Sequence, residues 1–303
     1  MLKIYTIKEQ FKFCSELVIL SGLLEELPVD VPHNLNSKNQ GRFHNAIESC
    51  NEFISYVEKI EDADIIVLPY KFNGINDRTF VELNDLSIEN KKSLYCFYND
   101  DNDRPFDISD NVILYRTSFY KSSKKDNEYA LPAFTTDFND GSLVDNISIG
   151  YCGHIGNNRQ QLLKQIYDSQ QTTDFVLRRG FWAPELPKEQ ARQEYIKNIR
   201  DNLFTFCYRG AGNFSYRFYE TLMMGRIPLL IDSDGVYPYP LENDGDLHNH
   251  CLYLKHNDLN NFDEFFKSYI QNNDLKQIQK NNYELWKKYF STEGFIRTFK
   301  SKV

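Results

Sequence analysis

The stretch Cys207 to Pro240, CYRGAGNFSYRFYETLMMGRIPLLIDSDGVYPYP, leaves little freedom in how it folds. It reads as strand, glycine loop, helix, glycine stop, strand and turn, which is half of a nucleotide-binding βαβ unit. Leu203 to Tyr208 (LFTFCY) is a short, aromatic-rich apolar run, the pattern of a buried strand. The loop Gly210, Ala211, Gly212, Asn213 follows, where missing β-carbons let the backbone approach a ligand. Asn213 or Ser215 can cap the next helix, Tyr216 to Met224, and Gly225 stands where a left-handed C′ residue belongs. Pro228 then opens the apolar run Leu229 to Ile231.

A helix N-terminus behind a glycine loop presents unpaired N–H groups and a positive dipole end to an anion. Arg209 and Arg217 add formal charge, and the planar guanidinium suits phosphate. Glu220 lies one turn beyond Arg217 on the same helical face, where a carboxylate can accept from the hydroxyls of a ribose. The plainer alternative is an ordinary surface ion pair between Arg217 and Glu220. The glycines, the cap and Arg209 on one short segment favour the anion site.

At 303 residues the chain has room for two domains, each with its own core. A net charge of −8 argues against general binding to nucleic acid or to anionic membranes, so a phosphate site has to be made locally by a few arginines. The first 27 residues are interrupted by Lys3, Lys8, Glu9, Lys12 and Glu16 and hold no apolar run of signal-peptide or membrane-span length; the expectation is a soluble, non-secreted protein with no transmembrane segment. Six scattered cysteines, with no C-x-x-C spacing, read as reduced core thiols rather than disulfides or a zinc site.

Along the first half, Leu2 to Ile7 reads as a strand. Gly41 to Ile60 carries the 3.6-residue period of a core-facing helix, and strands are expected at Ala63 to Pro69, Ser93 to Tyr98 and Val112 to Tyr115. This αβ alternation implies a parallel sheet, with ligands beyond the carboxyl ends of its strands. That rule selects Tyr70 and Lys71, then Asp100, Asp101 and Asp103, then Arg116; each also reads as a solvated loop residue.

Phe134 to Asn146, polar and containing Gly141, reads as the linker. Beyond it, Ile147 to Tyr151 is the first strand of a second sheet, running into Gly153, His154, Gly156 and a helix Asn158 to Ser169. Arg159 at that helix start faces phosphate in this reading and His154 faces the cleft, against a plain loop histidine as the alternative. Phe175 to Leu177 is a further strand ending at Arg178, and Lys188 to Asn202 a helix. Asp232 and Asp234 form an Asp-x-Asp pair that suits either a divalent cation or, more commonly, a turn. The tail Phe262 to Val303 reads as helices.

The segment Tyr195 to Pro240, with its Y-R-G, S-Y-R-F-Y-E-T-L, G-R-I-P-L-L-I-D-S-D and Y-P-Y-P, resembles the exostosin family of glycosyltransferases, family 47. Gly150 to Arg159 is similar to that family's first C-domain strand and loop, and Tyr283 to Ser291 to its closing helix; the first half is similar only around Asp64 to Pro69 and Ser93 to Phe106. The resemblance implies an α/β protein of GT-B fold, two Rossmann-like domains facing across a cleft. The expected division is an acceptor domain over 1–140, a nucleotide-sugar donor domain over 146–282, and a closing helix over 283–303 packing back on the first domain.

The same resemblance implies an inverting glycosyltransferase with no strict need for a metal. Its donor would be a nucleotide sugar, UDP-sugar favoured and GDP-sugar possible, and its acceptor an oligosaccharide, polysaccharide or glycoprotein. Arg209, Ser215, Arg217 and Glu220 match the family's donor positions, and Gly153, His154, Arg159, Arg178, Gly210 and Asn213 join them from the residue reading above. A catalytic base is expected from the N-terminal half, at Asp100 or Asp101, with His33 and His44 behind them. Eukaryotic exostosin-like enzymes carry a membrane anchor; its lack here suggests a bacterial or viral-host cytoplasm. The rivals are a GDP-fucose-type transferase, a sugar-nucleotide epimerase, and a protein that binds nucleotide sugar or glycan without turnover.

Overall fold

A computed structural model describes residues 1–27, 41–156, 159–180 and 183–299. The chain forms two parallel sheets. The first holds β1 (Leu2–Tyr5), β2 (Ile54–Tyr56), β3 (Ile65–Val67), β4 (Leu94–Tyr98), β5 (Val112–Arg116) and β6 (Glu128–Ala130) in the order β2-β1-β3-β4-β5-β6. The second holds β7 (Ile149–His154), β8 (Thr173–Arg178), β9 (Phe204–Cys207), β10 (Ile227–Ile231) and β11 (Leu252–Leu254) in the order β11-β10-β9-β7-β8. Counted from its own first strand, each sheet begins 2-1-3-4-5. Each therefore has a switch point between its first and third strands, where open α/β sheets leave a crevice.

Strands covered on both faces must be apolar throughout. β3 (IIV), β4 (LYCFY), β9 (FTFC) and β10 (IPLLI) are buried at every residue. On the first sheet, α1 (Ala46–Phe53) covers one face and α2 (Arg78–Glu89) the other. On the second, α3 (Arg159–Tyr167) covers the face opposite α4 (Lys188–Asp201) and α5 (Tyr216–Met223). After the short α6 (Asp244–His248) come α7 (Phe262–Asn272), α8 (Leu275–Leu285), a π-helical turn at Trp286–Phe290 and α9 (Thr292–Phe299). That last helix leaves the second sheet: Phe295, Ile296 and Phe299 enter the core of the first, with Phe299 5.6 Å from the Tyr115 ring.

Two expectations need adjustment. The periodic run Gly41 to Ile60 is helical only over Ala46–Phe53; Ile54 then pairs with Leu2, and the edge strand β2 forms where the pattern suggested more helix. Pairing with β1 outweighs local propensity here. Phe134 and Thr135, at the start of the linker, are buried, and Trp286 donates to Thr135 at 3.0 Å. α5 ends as the sequence suggests. Gly225, at φ +63°, donates to Leu222, while Arg226 donates to Thr221, the paired bonds of a Schellman motif.

Candidate active site

The carboxyl ends of the two sheets face each other, and their loops touch. From the first sheet come the loops after β4 (Asp100 to Asp103) and β5 (Thr117 to Ser122). From the second come those after β9 (Arg209 to Asn213) and β10 (Asp232 to Gly235). Gly212 donates its N–H to Asp101 Oδ1 at 3.0 Å, and Asn213 donates its N–H to Ser118 Oγ at 2.7 Å. The buried Asn213 side chain donates to the carbonyls of Phe119 and Ser233. Arg209 donates to the Tyr120 hydroxyl at 2.7 Å and pairs with Asp103 at 3.1 Å.

These contacts revise what the glycine loop approaches. A β-carbon on Gly212 would stand 2.7 Å from Asp101 Cα and 2.8 Å from Ser118 Oγ, so the close approach that glycine permits is to the other sheet's loops. Arg209 and Asn213, expected at a donor, serve the same seam. Gly210 closes the loop by donating to Phe214 at 2.8 Å. Asp232 and Asp234 form a turn: Asp232 accepts from the Asp234 N–H at 2.8 Å, and Asp234, at φ +58°, accepts from Ser122.

The charged centre of the second sheet is built on α5. Arg217, in the first turn, lays its guanidinium 4.3 Å from the Tyr151 ring centroid and donates from Nη2 to the Cys152 carbonyl at 2.8 Å. Its Nε is buried without a hydrogen-bond partner among the described residues. Gly153 makes this possible, because a β-carbon there would stand 2.7 Å from Arg217 Nη2. Ser215 occupies the N-cap position with extended backbone, yet its side chain makes no capping bond.

Arg217 and Glu220 do not form the simple ion pair of the plainer reading. The buried Glu220 accepts from Arg192 Nη1 at 3.0 Å on one oxygen and from the Tyr195 hydroxyl on the other. Burial alone would raise its pKa; Arg192, the Tyr195 hydrogen bond and Arg42 outweigh it and hold the carboxyl below its ordinary value. Arg42 reaches this centre from the first domain, lying 4.9 Å from the Tyr216 ring centroid. Arg192, Tyr195 and Arg42 were not singled out from the sequence. The i, i−25 and i, i−28 relations to Glu220 leave no local signal.

The other predicted positions are distributed around this centre. Arg159 is buried and holds backbone: it donates to the Arg209 carbonyl from Nη2 at 2.6 Å and to the His154 carbonyl from Nη1 at 3.1 Å. It therefore braces the glycine loop from behind. Arg178 pairs with Glu194 and stands 3.6 Å from Glu185. His154 accepts from the Gly156 N–H at Nδ1, 3.3 Å, in its own loop.

On the facing side, Asp100 pairs with Lys71 at 2.7 Å, and the Lys71 hydrogen bond holds its carboxyl below the ordinary range. Asp101 is occupied by Gly212. Arg116, buried beneath this loop, pairs with Glu128 at 2.9 Å and donates to the carbonyls of Asn102 and Arg104, which shapes the acidic turn. His44 is exposed, and His33 lies outside the described residues.

Among the described residues no three His, Cys, Asp or Glu side chains gather as a metal-ligand set. A cavity of about 40 Å³ between Tyr115, Tyr239 and Tyr289 lies away from this centre and is of a size for water. No helix among the described residues is long and apolar enough to cross a membrane. Compared with family models and with curated proteins, the chain matches none.

Proposed function

We propose that this chain is an inverting glycosyltransferase of GT-B arrangement, exostosin-like, that moves a sugar from a nucleotide diphosphate to a glycan hydroxyl. One observation carries the reading. Arg217 stands in the first turn of α5, on the carboxyl side of β9, with its guanidinium over the Tyr151 ring and its Nε without a hydrogen-bond partner among the described residues. A half-buried guanidinium with an unused donor beside an uncapped helix start suits a phosphate oxygen. In this reading the diphosphate lies over Arg217 and the Ser215 hydroxyl. Glu220, with one lone pair left on each oxygen, accepts from ribose. The leaving diphosphate is stabilised by fixed positive charge, so a metal is not required. UDP is the favoured nucleotide and GDP the alternative.

A second reading, nucleotide-sugar binding without turnover, is favoured by one contact set. The N–H groups of Gly212 and Asn213, natural donors to a phosphate, are engaged by Asp101 and Ser118.

The test is thermal shift and calorimetry of the purified protein against UDP, GDP, CMP and their common sugars, with and without EDTA. One base should raise the melting temperature by linkage, independently of EDTA, and the rise should vanish in Arg217→Ala. A folded protein that responds to none of them overturns the reading.

A further inference from the structure

Three carboxylates are buried among the described residues: Glu16, Glu128 and Glu220. Glu128 is paired with Arg116, and Glu220 with Arg192. Glu16 is 3% exposed and has no ion pair among the described residues. A carboxylate buried outside any ion pair costs free energy on folding, and this sets Glu16 apart from the other two.

Glu16 sits in the loop after β1, next to the switch point of the first sheet. Its Oε2 accepts from the Ser15 hydroxyl at 3.0 Å, and Ser15 Oγ accepts in turn from Asn99 Nδ2 at 3.0 Å. Asn99 follows β4 and precedes Asp100, whose partner Lys71 follows β3. A hydrogen-bonded chain thus runs from the segment after β4 to Glu16, with the Lys71–Asp100 pair beside it. Lys71 and Cys14 are the titratable groups that feel its charge.

Sequence neighbours of the cluster reach the second sheet. On one flank Asp101 touches Gly212. On the other, Phe13 packs edge-on against Phe43 at 5.5 Å, and the adjoining Arg42 covers Tyr216, the first residue of α5.

We infer that Glu16 is the general base of the transfer, oriented by Ser15 and Asn99 as positioning residues, with Lys71 and Asp100 binding neighbouring hydroxyls of a sugar acceptor. This rests on the donor reading given above. The acceptor O–H gives its proton to the Glu16 carboxylate while its oxygen bonds to the anomeric carbon. The bond from that carbon to the diphosphate oxygen breaks, and its electron pair leaves with the nucleoside diphosphate. The proton then passes from Glu16 to water. Asp100 and Asp101 serve less well, since the first is held by Lys71 and the second by Gly212.

The test uses the full chain with UDP- and GDP-hexoses, measuring nucleotide affinity by calorimetry and diphosphate release with water or a panel of methyl glycosides as acceptor. Glu16→Gln should bind nucleotide within about twofold of wild type and release diphosphate at least about 100-fold more slowly. Ser15→Ala, a milder change should Glu16→Gln misfold, should lower kcat about tenfold while leaving donor affinity alone. Unchanged turnover in Glu16→Gln, or a wild type that binds nucleotide sugar and releases nothing, overturns the assignment and leaves donor binding standing. A folded wild type that binds no nucleotide overturns both.

Discussion

Arg217 Nη2 lies 2.7 Å from the point where Gly153 would carry a β-carbon. One residue lies next to the end of β7 and the other in the first turn of α5, so the guanidinium is placed by what Gly153 lacks. Gly153→Ala should push the guanidinium off the Cys152 carbonyl and strain the end of β7, because Gly153 sits at φ +157°. A charged hydrogen bond of this kind contributes roughly 1.5–3 kcal/mol, so nucleotide affinity should fall about 10- to 100-fold. Calorimetry checks this, with a circular dichroism melt to show that the fold persists.

Gly212 makes the corresponding approach across the seam. A methyl group there meets backbone at Asp101 and the Ser118 hydroxyl, neither of which is the far end of a flexible chain. Gly212→Ala should therefore part the two loops and destabilise by about 1–3 kcal/mol. Small-angle scattering should show a larger radius of gyration than wild type.

Arg116 and Glu128 form a pair with no exposure worth counting. Arg116→Met leaves Glu128 charged and buried, which costs roughly 3–5 kcal/mol, and releases the carbonyls of Asn102 and Arg104. Adding Glu128→Leu should recover most of the loss. Urea unfolding of the single and double variants measures both steps.

His250 packs beside Asn282, with Nδ1 2.8 Å from its side-chain oxygen. Burial lowers its pKa from 6.5 more strongly than Asn282 and Asp246 raise it. A histidine whose folded pKa is depressed opposes folding when protonated. Its contribution is complete above pH 6.5 and is lost as pH falls through the lowered folded value. Melting temperatures between pH 5 and 8 should drop more steeply toward acid for wild type than for His250→Gln.

Burial on both faces of a parallel sheet writes itself into composition, and β4, β5, β9 and β10 could be read off as apolar runs. β6 (EYA) and β11 (LYL) are too short for such a run to stand out, and both are sheet edges. Around α5 the same division holds. The glycines, the C′ turn at Gly225 and the partial burial of Arg217 follow from local spacing. What approaches Gly212 does not, because a missing β-carbon reads identically whether its neighbour is a phosphate or another loop. Glu16 gives no signal in CSELVIL, since its burial and its hydroxyl partner depend on Asn99, more than eighty residues away.

The chain passes between the sheets twice, outward through 131–148 and back through the π-helical turn into α9. Trp286 and Thr135 bind those two passages to each other. Two passages fastened side by side act as one short tether between the sheets. Held this way, the loops at the seam meet at an effective concentration of roughly millimolar. Contacts far too weak to join separate molecules, such as Arg209 with Asp103, then suffice to keep the seam shut.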